Sequence, residues 1–345
     1  MTRRAGRCTV SFTVSFTLAE LHRELAARPV LLAPMEDVSD DVFRRLCRSL
    51  GADLCVTEFV QVDCLIGDGA IARRKAALGP GGERTAIQIH GKDASRLATA
   101  ARVAETAEPA FIDLNCGCAV TRVASRGAGA GWLKDPAAMV AMARQVVSST
   151  SLPVTLKTRV GLGYEAEMPI VDLARRLEDS GIAALTLHCR TAQMGFGGRA
   201  DWSYAARAQA AMTIPVIVNG DIESADDAER ALCETGCTAV MVGRRAIAHP
   251  WIFREARALL DHGVHLPAPS PTERLALFRA QLEANAAKRG ERNGVRVTRR
   301  HLAGYLAGLP GLAALRAELF ACDSLARSLE LLLRYEGQLG RAAGG

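Results

Sequence analysis

The feature that most constrains the fold of this chain is a regular alternation of short apolar runs with longer helical stretches from residue 30 onward. Several of the runs are rich in Val, Ile and Leu without polar alternation, which is typical of parallel strands buried on both faces. The eight candidate strands lie at residues 30–34, 54–59, 85–91, 111–116, 154–159, 184–190, 215–221 and 239–244. Eight strand–helix units over about 220 residues predict a closed (β/α)8 TIM barrel rather than an open doubly wound sheet.

Helical spacing of apolar residues separates these runs, and some of the helical segments end close to a glycine, which commonly follows the last turn. The clearest helices are predicted at residues 40–50, 93–106, 136–149, 168–180 and 224–234. The pattern changes after Trp251, where strand signals stop. A Pro-rich linker at 261–271 is followed by helical segments at about 272–288, 296–308 and 311–335.

These patterns divide the chain into three parts. Residues 29–260 are the predicted barrel, and residues 265–340 are a small all-helical domain. Residues 1–28 precede the first predicted strand and are treated as an N-terminal extension, which is expected to be poorly ordered. Arginines near the N-terminus precede an apolar stretch there, but the stretch lacks the long apolar run and cleavage site of a secretion signal.

Charge is distributed unevenly between these parts. Lys and Arg number 43 against 37 Asp and Glu, a net charge of +6. Residues 265–345 hold twelve basic and seven acidic side chains, which accounts for five of the six surplus charges. A nearly neutral body with a basic helical end indicates a polyanionic partner, and solvated arginine-rich helix faces are the alternative.

Cysteine usage and hydropathy indicate the compartment. Ten cysteines include no CxxC pair, and a chain of 345 residues needs no disulfide framework, so reduced thiols in a cytoplasmic protein are expected. No uninterrupted apolar run reaches the ~18 residues of a membrane helix. We therefore expect no membrane association.

Every predicted strand ends on polar groups. In a barrel the functional groups gather where strands end, so eight polar ends together predict one site. These groups are Met35 and Glu36, Glu58, Gln88 and His90, Asn115 with Cys116 and Cys118, Lys157 and Arg159, His188 and Arg190, Asn219 and Asp221, and Gly243 with Arg244.

The last two strands predict a phosphate site. Gly220 and Gly243 each open the segment that follows a strand, where backbone N–H groups bind anions, and Arg244 adds a guanidinium. Ordinary tight turns are the alternative. Lys157 points into the barrel mouth and could stabilise an anionic ring, or pair with Glu36 or Asp221. Gln88 can donate to and accept from a planar heterocycle, or bond to a neighbouring strand end.

The NCGC sequence at 115–118 is the sharpest local signal. No second Cys or His pair has metal-ligand spacing, so no metal is expected. A thiol with an ordinary pKa of ~8.5 is mostly protonated at neutral pH and can donate a proton. Two buried small side chains are the alternative, and this fits Cys116 better than Cys118.

The residues of these segments resemble the tRNA-dihydrouridine synthases. The likeness covers about residues 30–255 and continues into a helical tail where that family has its tRNA-binding domain. It rests on APMEDVSD (33–40), DLCVTEFV (53–60), IQIHG (87–91), IDLNCGC (112–118), LKTRVG (156–161), LHCRT (187–191), IPVIVNGDI (214–222) and AVMVGR (239–244). DLCVTEFV, DLNCGC, GAGAGWLKDP (127–136) and CRTAQMGF are most similar to the synthase C branch, which modifies position 16 of tRNA.

The resemblance implies an FMN-dependent oxidoreductase acting on a CH–CH bond, with NADPH as reductant and tRNA as partner. Hydride would pass from N5 of FMN to C6 of uracil, and Cys118 would deliver the proton to C5. The target base must leave its stack to reach the site. A monomer is expected. The implied FMN contacts are Pro34, Met35, Glu36, Gln88, Lys157, His188, Asn219, Gly220, Asp221, Gly243 and Arg244.

The resemblance also implies contacts with the RNA or its target base at Asn115, Arg190 and Phe196, and we group Arg159 with them. Arg299 and Arg300 are the first candidates for phosphate contacts in the basic domain. Ala119 departs from the family, which has Pro after the catalytic Cys. Thr121 stands where the family has a basic residue, with Arg122 as a substitute.

Three other functions stay open at this stage. The first is an FMN barrel reductase of a small molecule, similar to dihydroorotate dehydrogenase, which would not need the basic tail. The second is a flavin-free phosphate-binding barrel, such as an aldolase or isomerase. The third is a tRNA-binding chaperone that has lost turnover through the change at Ala119.

Overall fold

The computed structural model describes residues 15–163 and 170–343. The strands are β1 Val30–Leu32, β2 Leu54–Val56, β3 Val60–Gln61, β4 Thr85–His90, β5 Ile112–Cys116, β6 Val154–Arg159, β7 Ala184–His188, β8 Val216–Asn219 and β9 Ala239–Val242. The helices are α1 Leu18–Ala26, α2 Asp41–Ser49, α3 Val62–Ile66, α4 Ala70–Ala76, α5 Ala94–Glu105, α6 Thr121–Ala124, α7 Pro136–Val147, α8 Ile170–Glu178, α9 Ser203–Ala211, α10 Ala225–Thr235, α11 Arg244–Ala248, α12 Ile252–His262, α13 Pro271–Arg289, α14 Glu291–Tyr305, α15 Leu312–Phe320 and α16 Leu325–Ala343.

Eight of the strands close into a parallel barrel. β1 pairs with both β2 and β9, β2 pairs with β4, and β4 to β9 follow in chain order. The short β3 pairs with the end of β4, with Val60 opposite Ile89 and Gln61 opposite His90, so it extends the wall beyond β2. The predicted (β/α)8 barrel with a helical C-terminal region is confirmed.

The helices around the barrel begin at side-chain caps that the sequence supplies. Asp93 accepts a hydrogen bond from Arg96 N, Asp135 from Ala138 N, and Ser224 from Asp227 N. Each cap satisfies an N–H that the first turn leaves free, which stabilises a helix by about 1 kcal/mol. The predicted helix at 168–180 is α8, and its first two predicted residues lie outside the described residues.

Helix α1 closes the end of the barrel at which the strands begin. Thr17 and Glu20 form a capping box, and Leu21 and Leu25 are fully buried in a second apolar cluster made by inward-facing residues of the strand starts. His22 Nε2 lies 2.8 Å from the Ala183 carbonyl oxygen. Residues 15–28 therefore belong to the barrel, which corrects the expectation of an extension over 1–28. Residues 1–14 lie outside the described residues.

Helices α13 to α16 pack around their own apolar core, which includes Phe278, Tyr305 and Leu332 and reaches Trp251 at the start of α12. The single helix predicted at 311–335 is two helices, because the chain turns between the end of α15 and the start of α16. None of the helices within the described residues is long and apolar enough to cross a bilayer.

The helical domain is docked closely on the barrel. Gly304 of α14 lies against α11, where an added Cβ would stand 2.3 Å from Ala248 Cα. Ion pairs join Lys288 to Asp41 and Arg289 to Asp40. The closeness at Gly304 leaves no space for a larger residue, so this contact fixes α14 beside the mouth of the barrel.

Candidate active site

A cavity of about 1230 Å³ opens at the end of the barrel where the strands finish. Its wall brings together sixteen of the residues that the sequence predicted for the site. They are Pro34, Met35, Glu36, His90, Asn115, Cys118, Lys157, Arg159, His188, Arg190, Phe196, Asn219, Gly220, Asp221, Gly243 and Arg244. The convergence follows from topology, because parallel strands of a closed barrel all end at the same rim.

Strand register sets the depth of each polar side chain. Asn115 of β5 lies opposite Lys157 of β6, and His188 of β7 lies opposite both Arg159 and Asn219. Neighbours in register on parallel strands project to the same face. Asn115 and Lys157 therefore form one polar layer of the cavity wall, and Arg159, His188 and Asn219 form the next layer, two residues further along the strands.

Lys157 is held by an amide, and within the part of the chain that the structure describes it forms no ion pair with a carboxylate. Its Nζ donates to Asn219 Oδ1 at 2.9 Å, while Asn219 Nδ2 donates to the Met241 carbonyl oxygen at 2.8 Å. Burial, with the nearby Arg159 charge, lowers the pKa of Lys157 to about 8. The ammonium is therefore mostly charged at neutral pH without a carboxylate to neutralise it, and it remains available to an anionic ligand.

His188 is a neutral side chain at this floor. Burial lowers its pKa far below the ordinary value, and the charges of Lys157, Arg159, Arg190 and Arg244 lower it further. A neutral imidazole has one donor and one acceptor nitrogen. His188 therefore offers hydrogen bonds rather than charge to a ligand.

Cys118 lies half-buried in the loop after β5. The Asn115 Oδ1 atom accepts hydrogen bonds from Gly117 N at 3.2 Å and from Cys118 N at 3.0 Å, and Ala130 N donates to the Cys118 carbonyl oxygen at 3.0 Å. These bonds fix the loop although Ala119 lacks the ring of a proline. Burial raises the pKa of the Cys118 thiol, against the opposing charges of Arg159 and Lys157, so the thiol keeps its proton at neutral pH.

Arg159 connects two loops of the mouth. Its Nε donates to the Gly117 carbonyl oxygen at 2.8 Å, and its Nη1 donates to the carbonyl oxygens of Thr191 at 3.0 Å and Gly195 at 2.8 Å. It was predicted as an RNA contact. The structure uses its donors to tie the Cys118 loop to the loop that carries Phe196.

Arg190 is also held inside the protein. It is buried, and its Nη2 donates to both carboxylate oxygens of Asp221 at 2.7 and 2.6 Å and to the Gly198 carbonyl oxygen at 2.8 Å. Its Nη1 is buried and has no hydrogen-bond partner within the described residues. Because a buried N–H without a partner is costly, this atom marks a place where a ligand oxygen fits.

The loops after β8 and β9 lie at one corner of the cavity, here called the anion corner because the sequence predicts an anion site at these loops. Gly220 has a φ of +119°, and an added Cβ would lie 2.9 Å from Ala200 Cβ and 3.1 Å from His188 Cδ2, so only glycine fits. Gly243 precedes α11, lines the cavity and supplies no side-chain cap to the first N–H groups of that helix. Arg244 is half-exposed and lies 3.3 Å from Asp221 Oδ1.

Phe196 stands on the rim with 63% of its surface exposed. The guanidinium carbons of Arg244 and Arg159 lie 5.1 and 5.8 Å from the ring centroid. An exposed aromatic ring between two cations at a cavity mouth is suited to stacking on a flat, electron-rich heterocycle.

The match to the family described as "Dihydrouridine synthase (Dus)" spans residues 31–338, which includes the barrel and most of the helical domain. The chain belongs to the dihydrouridine synthase family. The expected enzyme class, an oxidoreductase acting on CH–CH bonds, is confirmed by this membership.

Individual relatives agree with the family. The tRNA-dihydrouridine synthase B of Pseudomonas aeruginosa is 36% identical over 289 residues, which are 84% of this chain and 87% of that protein. A probable tRNA-dihydrouridine synthase 1 of Synechocystis sp. is 36% identical over 304 residues, covering 88% and 85%. The likeness to the synthase C branch is not confirmed, since the Pseudomonas relative is a synthase B.

Solved structures support the fold alone. A 2-naphthoyl-CoA reductase complex aligns with a TM-score of 0.53 and 11% identity over 66% of this chain and 49% of that one. The structure titled TcOYE with pHBA aligns with a TM-score of 0.51 and 10% identity over 71% and 91%. Both likenesses cover the barrel architecture at identities too low to carry a function.

One predicted family contact lies below the cavity. Gln88 is fully buried, its Nε2 donates to Asp113 Oδ2 at 2.7 Å, and its Oε1 accepts from Asn115 Nδ2 at 2.8 Å. Gln88 pairs in register with Asp113, one layer beneath Asn115. The structure thus corrects its predicted place on the cavity wall, and Gln88 orients Asn115 instead.

The two basic candidates of the helical domain also make internal contacts. Arg299 Nη2 lies 2.9 Å from Asp323 Oδ1, and its guanidinium lies over the Phe320 ring. Arg300 Nη1 donates to the Asp37 carbonyl oxygen. Arg300 is exposed beside the rim, whereas Arg299 is mostly covered.

Sequence reasoning missed several groups of the wall. Lys75 of α4 pairs with Glu36, and Lys92 and Arg126 add cations around the mouth beside Arg122, which the sequence indicated only as a substitute for a basic residue at Thr121. Asp113 was also missed. The signal for Asp113 was its place two residues before Asn115, which puts both side chains on the inner face of β5.

Proposed function

We propose that this protein reduces a uridine of tRNA to 5,6-dihydrouridine with FMN as cofactor and NADPH as reductant. The observation that supports this most strongly is the joint placement of a protonated thiol, an unneutralised lysine and an anion corner around one cavity. That combination suits transfer of a hydride and a proton to a polarised double bond.

The residues fit a flavin phosphate. The unpartnered Nη1 of Arg190, the glycine-only turn at Gly220 and the start of α11 all border the same corner, and Arg244 adds a second guanidinium. FMN would be held there and along Pro34, Met35, Lys157, His188 and Asn219. When bound, FMN reduced by NADPH supplies a hydride for C6 of the uracil.

We assign to Lys157 the role of stabilising negative charge on the flavin ring. Within the described residues its ammonium has an amide partner and no carboxylate ion pair, so its positive charge is available to a ligand. Asn219 orients the ammonium, because its Oδ1 accepts from Lys157 Nζ while its Nδ2 donates to the Met241 carbonyl oxygen. The cation would favour a ring that carries negative charge, and this is how protein groups tune a bound cofactor.

Cys118 is the proposed general acid. Its S–H bond breaks as a C–H bond forms at C5 of the uracil, which leaves a thiolate in the loop. Burial keeps the thiol protonated beforehand, and the charges of Arg159 and Lys157 favour the thiolate afterwards. Asn115 and Arg159 hold the loop and so act as positioning residues, which revises their predicted role as RNA contacts.

The target base would reach this cavity by leaving its stack, because a base inside a helix cannot approach a cofactor within a barrel. Phe196 on the rim supplies a ring for the extruded base. Among the basic residues, Arg300 and the mouth residues Lys92, Arg122 and Arg126 are placed to meet the adjoining phosphates.

The deciding experiment combines a spectrum with a product assay. Purified protein is expected to show a flavin absorbance and, with NADPH, to form dihydrouridine in tRNA taken from a strain that lacks the gene. Mass spectrometry measures the product. A colourless protein without product indicates the flavin-free barrel, reduction of a free pyrimidine without tRNA binding indicates the small-molecule reductase, and tRNA binding without turnover indicates the chaperone.

Two finer points belong to the same assay. The likeness to the synthase C branch proposes position 16, and mapping of dihydrouridine in the deletion strain tests it. If the deletion strain loses dihydrouridine at another position, that position is the target and the proposal of position 16 is wrong. Rates with NADPH and NADH compare the two reductants, and equal rates contradict the proposed preference. Chromatography at several concentrations tests the expected monomer.

A further inference from the structure

An exposed aromatic ring lies on the helical domain, away from the cavity. Phe320, the last residue of α15, has 45% of its surface exposed. The guanidinium carbons of Arg316 and Arg299 lie 5.2 and 5.5 Å from its ring centroid. One exposed apolar side chain is ordinary on a protein surface, but a flat ring with two guanidinium groups beside it is an arrangement suited to stacking on another flat ring.

The charge around this ring is strongly positive. Arg292, Arg296 and Arg299 of α14 all form ion pairs with one carboxylate, Asp323, which can neutralise only one of them. Within the described residues Arg316 has its ring contact and no carboxylate partner. Two neighbouring carboxylates have other partners: Glu318 pairs with Arg334, and Glu291 accepts from Leu325 N. A surplus of cations therefore remains.

This surface is continuous with the rim of the cavity. Arg300 lies on the same helix and donates to the carbonyl oxygen of Asp37, whose chain neighbours Glu36 and Val38 both line the cavity. With a rise of 1.5 Å per residue, the arginines at positions 292 to 300 span about 12 Å along α14. A polyanion that enters the cavity can follow this row without leaving the protein surface.

We propose that Phe320, Arg299, Arg316, Arg292 and Arg296, here called the Phe320 platform, bind tRNA by stacking an unpaired base on the ring. This inference rests on the proposed function, because that function supplies the RNA. Stacking on an aromatic side chain next to arginines is the general way in which proteins hold single-stranded bases. Arg316 is exposed and forms no ion pair with a carboxylate of the described residues, so its guanidinium moves from the ring to a phosphate when a base takes its place.

A protein partner fits the platform less well than RNA. An apolar protein contact would remove water from the surrounding guanidinium groups. Asp323 alone cannot pair with all of them, so most of these charges would be buried without a partner. RNA provides both a flat ring for Phe320 and phosphates for the arginines. The ligand chemistry is therefore a base with its adjoining phosphates.

The test measures the affinity of the full-length protein for a tRNA transcript by fluorescence anisotropy at several salt concentrations. Phe320→Leu keeps an apolar side chain but removes the ring, and is expected to weaken binding about 5- to 100-fold, the range found for one stacked base. Phe320→Trp keeps a stacking ring and is expected to bind like the unmodified protein. Arg316→Gln is expected to lower the slope of log affinity against log salt by about 1.

The matched control is Leu333→Ala, because Leu333 is an apolar residue of the same domain that is 56% exposed on α16 and is not one of the platform residues. It should leave affinity and turnover unchanged. Flavin content and the thermal midpoint report whether each variant folds. If Phe320→Leu binds tRNA as tightly as the unmodified protein, the platform is not an RNA site. The proposal is overturned in the same way if Phe320→Leu keeps its tRNA affinity and loses binding to a protein. If the unmodified protein binds no tRNA, the proposed function fails as well, so the two failures are distinguishable.

Discussion

The two ends of the barrel are built from the same strands but hold different residues. At the end where the strands finish, polar side chains surround an open cavity. At the other end, Leu21 and Leu25 of α1 are fully buried against apolar residues of the strand starts. The difference indicates that chemistry and stability are assigned to opposite ends, and substitutions at each end should separate the two.

The largest effect is expected at the mouth, from Cys118→Ala. Loss of a positioned general acid should lower kcat about 10²- to 10⁴-fold, while flavin content, tRNA affinity and the free energy of unfolding change little. Single-turnover formation of dihydrouridine measures it.

The matched control for this variant is Cys64→Ala, which removes an exposed thiol that also borders the cavity. It should turn over normally. If Cys64→Ala loses activity and Cys118→Ala retains it, the acid is the other thiol.

The opposite end should respond in the opposite way. Leu21→Ala removes a fully buried side chain and is expected to lower the free energy of unfolding by about 2–5 kcal/mol, since the helix cannot collapse into the space. Turnover well below the melting temperature should persist. Chemical denaturation measures the change, with Leu18→Ala as control, because Leu18 is 53% exposed and its substitution should cost no more than about 0.5 kcal/mol. A loss of turnover without a loss of stability would contradict the separation.

Arg159 is the residue at which the separation should break down. Arg159→Met leaves one buried carbonyl acceptor, that of Thr191, and two partly buried ones, those of Gly117 and Gly195, without their donor. Stability should fall by about 1–3 kcal/mol, and turnover should fall too, because the Cys118 loop loses its tie. Denaturation and kcat measured on the same samples check both. If only tRNA affinity changes, Arg159 is an RNA contact, as the sequence predicted.

The barrel and the content of its mouth were predictable because both depend on strand ends. Apolar runs mark strands, a closed parallel barrel brings all their ends to one rim, and so Asn115, Lys157, His188 and Asn219 could be grouped without coordinates. The sequence also contains the signals that predict helix α1. Thr17 and Glu20 have capping-box spacing, and Leu21 and Leu25 lie four residues apart on one face.

Other features depend on contacts that spacing does not encode. Gln88 lies one layer too deep to reach the cavity, which only the register of β4 against β5 reveals. Arg159 and Arg190 have the sequence signature of ligand-binding cations. Loop carbonyls and Asp221 take up most of their donors, and the path of those loops is set by tertiary structure.

The smallest effect concerns pH and tests whether Lys157 acts on the cofactor side of the mouth. Burial lowers its pKa to about 8, so the ammonium that is present at neutral pH is lost as pH rises through that value. Flavin reduction by NADPH in the absence of tRNA should slow by about half near pH 8 and continue to fall above it. This half-reaction needs no proton from Cys118, so titration of the thiol does not enter. Lys157→Arg retains a cation and should flatten the alkaline limb, even with a lower rate at neutral pH. If the rate falls with rising pH in Lys157→Arg as it does in the unmodified protein, another group titrates. Lys157 would then only be a structural partner of Asn219.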